Sequence, residues 1–402
     1  MISNVALFFI PLFLFILLTG FGTYSIAHTK VGDFSWAETV FIPLGLLPMA
    51  FNGYMLSIDK HFKIKTFITV IFSALAVYVL INLVYNLISF GAFYPIFYKG
   101  YYMYYNGIKS DIPVNEFAYA LEGFKFIEVK MSHYVLYPLL LLSSSVMLLY
   151  ASPRKEKGYF YSFLVFTLLA VLSLVLVPSI LSLAGIVIVA FLLLIIYIGK
   201  RYVKSRTALK YILYIFLVLF IGFYLFYVIA VATGMSESFK GIMDRVFNSN
   251  RFSREVNPIL TNLFSGDKFL GFATNTIPPA SPGLKPTVEE VYLSGFFIFD
   301  SFMTSGVIGA LAIFIFIFLG FKSFKPYFKS HSDDFKYQAL LFLFVLVFVL
   351  YSAFFNNGDY ALYYKLYKPI HLTAPFMIMV FIFSYVICKT HMDKVEEVKE
   401  NA

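Results

Sequence analysis

Charge is scarce in this chain: Asp, Glu, Lys and Arg together make up 13% of its 402 residues, while apolar residues make up 60%. About a quarter of a soluble domain is charged, so a water-soluble fold is excluded. Cysteine is nearly absent. The single Cys388 rules out an intrachain disulfide framework and gives no indication of redox chemistry. Basic residues are missing from Met1 to Val5, which argues against a cleaved secretory leader even though Ser25 and Ala27 form a small-x-small pair. A retained first helix is the expectation. With no fixed-period repeat and no low-complexity linker, residues 1–402 are expected to form a single polytopic membrane domain.

What the sequence does have is long charge-free stretches. A helix rising about 1.5 Å per residue needs about 20 apolar residues to cross the hydrocarbon of a bilayer. Ten stretches qualify: Asn4 to Ala27, Trp36 to Leu56, Thr66 to Ile88, Tyr134 to Ala151, Tyr159 to Pro178, Ser179 to Ile198, Tyr211 to Thr233, Phe297 to Phe321, Tyr337 to Phe355 and Pro369 to Cys388. Residues 158–199 carry no charge at all and are too long for one crossing, so Pro178 and Ser179 are expected to turn a helical hairpin. The expected fold is all-α, with about ten transmembrane helices and a large external loop between helices 7 and 8.

Orientation follows from Lys and Arg, which accumulate in short cytoplasmic loops. Alternate loops are basic: Lys60, Lys63 and Lys65; Arg154, Lys155 and Lys157; Lys200, Arg201, Lys204, Arg206 and Lys210; Lys322, Lys325, Lys329 and Lys336. Both termini then lie in the cytoplasm, including a tail from Lys389 to Ala402. The formal net charge of +9 is mostly a topology signal. A nucleic-acid partner is not expected, because the cations are dispersed among loops.

Polar chemistry is left to two external segments. In residues 89–133, Tyr94, Tyr98, Tyr101, Tyr102, Tyr104 and Tyr105 precede the helix-start signals Ser110, Asp111 and Pro113. Phe117, Leu121 and Phe124 then share one face of a helix expected to lie along the membrane surface. The tyrosines suit either an interfacial aromatic belt or stacking against sugar rings. Residues 234–296 hold the stronger signal. Lysine outnumbers arginine 25 to 6 overall, yet Arg245, Arg251 and Arg254 fall within ten residues of one another. A guanidinium is a rigid fork that takes phosphate oxygens in pairs, so the cluster suits a phosphate or pyrophosphate; the other reading is a helix face that is solvated or contacts lipid headgroups. Downstream lie Asp267, Lys268, Gly271, Asn275, the proline-rich Pro278 to Pro286, then Glu289, Glu290 and Asp300. Their carboxylates are candidate general bases or ordinary loop charges.

Two motifs here resemble a known family. The run Arg254-Glu-Val-Asn-Pro-Ile-Leu-Thr-Asn-Leu-Phe-Ser-Gly-Asp-Lys-Phe-Leu-Gly271 is similar to the arginine, apolar helix and "lfGvG" pattern of bacterial O-antigen polymerases and ligases. The run Asp300-Ser-Phe-Met-Thr-Ser-Gly-Val-Ile-Gly309 resembles the "GliG" start of that family's next membrane helix. The resemblance implies a GT-C-like, Wzy-like glycosyltransferase of the bacterial inner membrane. Such an enzyme joins oligosaccharide units carried on undecaprenyl pyrophosphate, with its active site on the periplasmic face. Two departures favour polymerase over ligase. The hairpin Pro178-Ser-Ile-Leu-Ser-Leu-Ala-Gly185 lacks the arginine that ligases carry, and Glu289, Glu290 and Asp300 stand where ligases place a histidine.

On this reading the catalytic set is Arg254, Arg251, Glu289, Glu290 and Asp300, and the substrate-binding set is Arg245, Lys268, Tyr104, Tyr105 and His371. Neither a cofactor nor a metal is called for, since a pyrophosphate leaving group needs only to be bound and neutralised. Expected partners are the lipid-linked donor and acceptor, membrane lipid and a chain-length regulator protein. The alternatives are a ligase, or a flippase or transporter of lipid-linked oligosaccharide. Ion-coupled carriers keep ionisable residues deep in their spans, and these spans have essentially none away from their ends, Glu38 standing at an outer edge.

Overall fold

The computed structural model describes residues 9–19, 44–59, 61–90, 131–151, 154, 156–176, 180–201, 297–327, 335–354 and 374–400. Among these residues every regular element is helical. In chain order they are α1 (Phe9–Thr19), then α2 (Leu46–Ile58), α3 (Ile64–Phe90), α4 (Met131–Leu142), α5 (Ser145–Tyr150), α6 (Lys157–Leu176), α7 (Ile180–Arg201), α8 (Phe297–Ser323), α9 (Phe335–Phe354) and α10 (Ala374–Glu400). Among the described residues three stretches, Ile64–Val84, Lys157–Leu176 and Pro375–Asp393, are long and apolar enough to cross a membrane. The expected span at Tyr211 to Thr233 lies outside the described residues, as does the whole of 234–296. Of the expected loop 89–133, α3 takes in the first two residues and α4 the last three.

Two elements differ from the sequence expectation. The span expected at Tyr134 to Ala151 is broken between α4 and α5 at Ser143 and Ser144. There the amides of Ser143 and Ser144 donate to Leu140 and Leu141, three residues back, at 3.2 and 3.0 Å, so the turn tightens. The Ser145 hydroxyl donates to the Leu142 carbonyl at 2.6 Å, and Ser144 Oγ meets Thr167 Oγ1 of α6 at 2.9 Å. Short hydroxyl side chains compete in this way for helical carbonyls. All three serines are buried, the setting in which a broken helix is tolerated at membrane depth. The second difference is at the C-terminus, where α10 continues as helix to Glu400 instead of ending near Cys388. Good helix formers without Gly or Pro fill that stretch, and Lys389 pairs with Asp393 one turn on at 3.1 Å.

The chain divides into two compact units. One consists of Met1–Phe62, Ile198–Phe335 and Ser352–Ala402, and contains α1, α2, α8 and α10. Its centre is α10, which packs on α2 and α8 and is mostly buried along Pro375–Asp393. Hydrocarbon supplies no hydrophobic drive between helices, so close approach depends on small residues and tight packing. Gly53 of α2 provides this: a Cβ there would stand 2.6 Å from the Phe381 carbonyl oxygen and 2.9 Å from Ser384 Cβ. Gly320 of α8 lies against the Phe383 ring in the same manner. That ring also meets Phe316 at 6.0 Å and Phe321 at 5.2 Å, both edge to face. Thr390 Oγ1 donates to the Ser323 carbonyl at 2.9 Å, tying the end of α8 to α10. Just beyond α8, burial and then the Asp393 carboxylate push the Tyr327 phenol upward, which keeps it neutral as a donor to Asp393 at 3.4 Å.

The other unit consists of Lys63–Tyr197 and Lys336–Tyr351. Here α3, α4 and α6 pack on one another and α5 packs on α6. Phe72 of α3 meets Phe163 of α6 in a tilted contact and Phe344 of α9 edge to face, both at 5.9 Å, and Tyr78 meets Tyr137 of α4 at 5.1 Å. Little of α6 is buried, so most of this apolar helix is left for lipid.

Gly53 and Gly158 make a matched pair for testing the packing. Gly53→Ala should cost about 1 to 3 kcal/mol, because backbone atoms of α10 must move aside. Gly158→Ala, where an added Cβ meets nothing within 4 Å, should change stability by less than about 0.5 kcal/mol. Thermal unfolding in detergent, followed by a thiol-reactive dye at the buried Cys388, checks both.

Candidate functional site

The side chains singled out from sequence divide sharply by location. Arg245, Arg251, Arg254, Lys268, Glu289, Glu290, Tyr104, Tyr105 and His371 lie outside the described residues. Asp300 falls on the first turn of α8, whose first turns are formed by the segment Asp300 to Gly309. That helix is firmly held within its unit. Ser301 and Ser305 are buried, with Ser305 Oγ donating to the Ser301 carbonyl at 2.6 Å. A Cβ at Gly309 would press on Ser305 and stand 3.4 Å from Leu18 Cβ of α1. Ser301, Ser305, Gly309, Ala312, Phe316 and Gly320 recur at helical spacing, so one seam of mainly small residues runs along α8. Asp300 therefore stands on a helix fixed by packing, and a reacting carboxylate needs such a base if it is to be held in place.

The structure also assembles a charged cluster that the sequence reading did not single out. Glu156, just ahead of α6, accepts from Lys336 Nζ of α9 through both carboxylate oxygens at 2.9 Å. Lys65 Nζ of α3 lies 3.9 Å from the same carboxylate and 4.5 Å over the Tyr159 ring. Lys336 in turn lies 5.2 Å over the Tyr337 ring, and the Tyr159 and Tyr337 rings are 6.2 Å apart. One carboxylate thus joins the starts of three helices distant in sequence. The one available signal was Glu156 itself, a lone acid in a basic loop. Nothing local announces Lys336, 180 residues away.

No protein-family model matches the chain, and neither a curated protein nor a solved structure matches it.

The two lysines hold Glu156 unequally. Lys336 is 15% exposed and makes both short bonds, whereas Lys65 is 48% exposed and more distant. Lys336→Met, which keeps the aliphatic stem, should cost about 1 to 2 kcal/mol by leaving a half-buried carboxylate short of donors. Lys65→Met should cost under about 1 kcal/mol. Comparing the two unfolding midpoints in one detergent decides the order, and an equal loss would contradict the assignment.

Proposed function

We propose that this chain is a membrane glycosyltransferase that polymerises oligosaccharide units linked to undecaprenyl pyrophosphate. It would cross the bacterial inner membrane about ten times, with both termini in the cytoplasm and residues 234–296 outside. The observation that carries this reading is the gathering of Arg245, Arg251 and Arg254 in a chain that otherwise prefers lysine, at the head of the Arg254 to Gly271 motif. Support also comes from Asp300, on the first turn of a packed helix downstream of that motif.

In the proposed reaction an acceptor hydroxyl oxygen attacks the anomeric carbon of the donor. The new glycosidic C–O bond forms as the bond to the phosphate oxygen breaks, and the lipid pyrophosphate leaves with the electron pair. Arg251 and Arg254 clamp that leaving group, aided by Arg245. One of Glu289, Glu290 or Asp300 accepts the hydroxyl proton. Lys268, Tyr104, Tyr105 and His371 are assigned to the sugar and phosphate of the bound substrates. Most of the catalysis is then positioning and neutralisation of developing charge.

Deleting a polymerase leaves single repeat units on the final lipid acceptor, deleting a ligase leaves long chains on the carrier, and deleting a flippase abolishes export with neither pattern. Within the chain, Lys for Arg keeps the charge but loses the paired bonds. Arg254→Lys should lose much of the activity and Arg254→Ala nearly all of it. A loss of about 2 to 4 kcal/mol of transition-state stabilisation corresponds to roughly 100-fold or more in rate. Polymer length at matched protein level is the readout. Near-normal chains from both Arg251→Lys and Arg254→Lys would sink the clamp.

A further inference from the structure

Among the described residues of the unit formed by Lys63–Tyr197 and Lys336–Tyr351, charge collects at one end. Among its described residues the Lys and Arg side chains are Lys63, Lys65, Arg154, Lys157 and Lys336, and the only acid is Glu156. The ion pairs of Glu156 with Lys65 and Lys336 bring the starts of α3, α6 and α9 together there. Five cations against one carboxylate leave a formal excess of four positive charges. Lys63, Lys65, Arg154 and Lys157 are exposed.

Directly below this end lies an apolar stripe. On α6 the exposed residues Tyr161, Val165, Leu168, Leu172 and Val175 succeed one another at intervals of three and four, on one helical face. Lys157 stands one turn ahead of Tyr161 on that same face, with Arg154 three residues before it. A cationic head above about four turns of apolar surface has the two-part chemistry of a phospholipid. A soluble phosphate would satisfy the cations and leave the stripe unused.

We propose that this end of α6 is a binding site for an anionic phospholipid, its phosphate held by Lys157 and Arg154 beside the Lys65–Glu156–Lys336 cluster and its acyl chain laid along Tyr161 to Val175. Basic pockets between membrane helices take acidic headgroups for the same electrostatic reason. Glu156 has the complementary role of holding Lys65 and Lys336 together, so that like charges converge at this end without forcing the helices apart. The proposal uses none of the residues assigned to glycosyl transfer and does not depend on that reaction.

The test is native mass spectrometry of the full chain in a neutral detergent. The probes are phosphatidylglycerol, phosphatidylcholine of identical acyl chains, and inorganic phosphate. The wild-type chain should retain phosphatidylglycerol well above phosphatidylcholine. Each cation at a membrane surface contributes about five-fold to such binding, so Arg154→Gln with Lys157→Gln should weaken it roughly 25-fold. Both positions are exposed, and an unchanged unfolding midpoint shows that the fold is kept. Lys157→Glu, a single reversal, should lower the preference further than Lys157→Gln. Equal retention of the two lipids by the wild type, an undiminished preference in the double variant, or displacement of the lipid by millimolar inorganic phosphate would each overturn the proposal.

Discussion

A peptide amide within hydrocarbon has no water to bond with, and each one left without a partner costs several kcal/mol. The form of the described structure follows from that constraint. Helices satisfy their own backbones, and the apolar runs Ile64–Val84 and Lys157–Leu176, whose charges, Lys65 and Lys157, stand at their starts, are helical throughout. Where the ladder breaks, at Ser143 and Ser144, the turn is buried and its serines bond locally and across to Thr167. Charges are pressed to the helix ends by the same cost.

Once every helix satisfies itself, what holds helices together is fit. In the unit built around α10, Gly53 and Gly320 let backbone and ring come close, and Phe383 fills the space between Phe316 and Phe321. That packing fixes α8, and with it the backbone of Asp300. In the unit containing α6, Phe72 joins α3 to α6 and α9, while Glu156 joins the same three helices at their charged end. Packing and ion pairing thus act on the same elements at different depths.

How much of this was legible in the sequence depends on the range of each interaction. Runs without charge reveal helices because the criterion is local: α3, α6 and α9 begin and end within a few residues of the stretches expected at Thr66, Tyr159 and Tyr337. The break at Ser143 was in view as three successive serines after Pro138, yet mean apolarity hides it, since leucines surround it. The helical course of residues 389–400 does not show in apolarity, because the stretch is charged, although helix propensity and the Lys389–Asp393 spacing favour a helix. The Glu156 cluster was out of reach, since no periodicity links residue 156 to residue 336. For the candidate site, composition marked the arginines, and the helix start placed Asp300. Residue type and spacing do not encode how side chains far apart in sequence are placed relative to one another.

Function on this reading depends on a separation of faces: the basic ends at Lys65, Lys157 and Lys336 on one side of the membrane, the arginine-bearing segment 234–296 on the other. A pair of side-specific reporter fusions, one that is active only in the cytoplasm and one only outside it, measures this directly. Fusions after Lys157, Arg206 or Lys329 should report the cytoplasm, and a fusion near Ser281 should report the outside. A cytoplasmic signal at Ser281 would place the arginines on the wrong side for a lipid-linked sugar at the outer face, and would contradict the glycosyltransferase reading at its root.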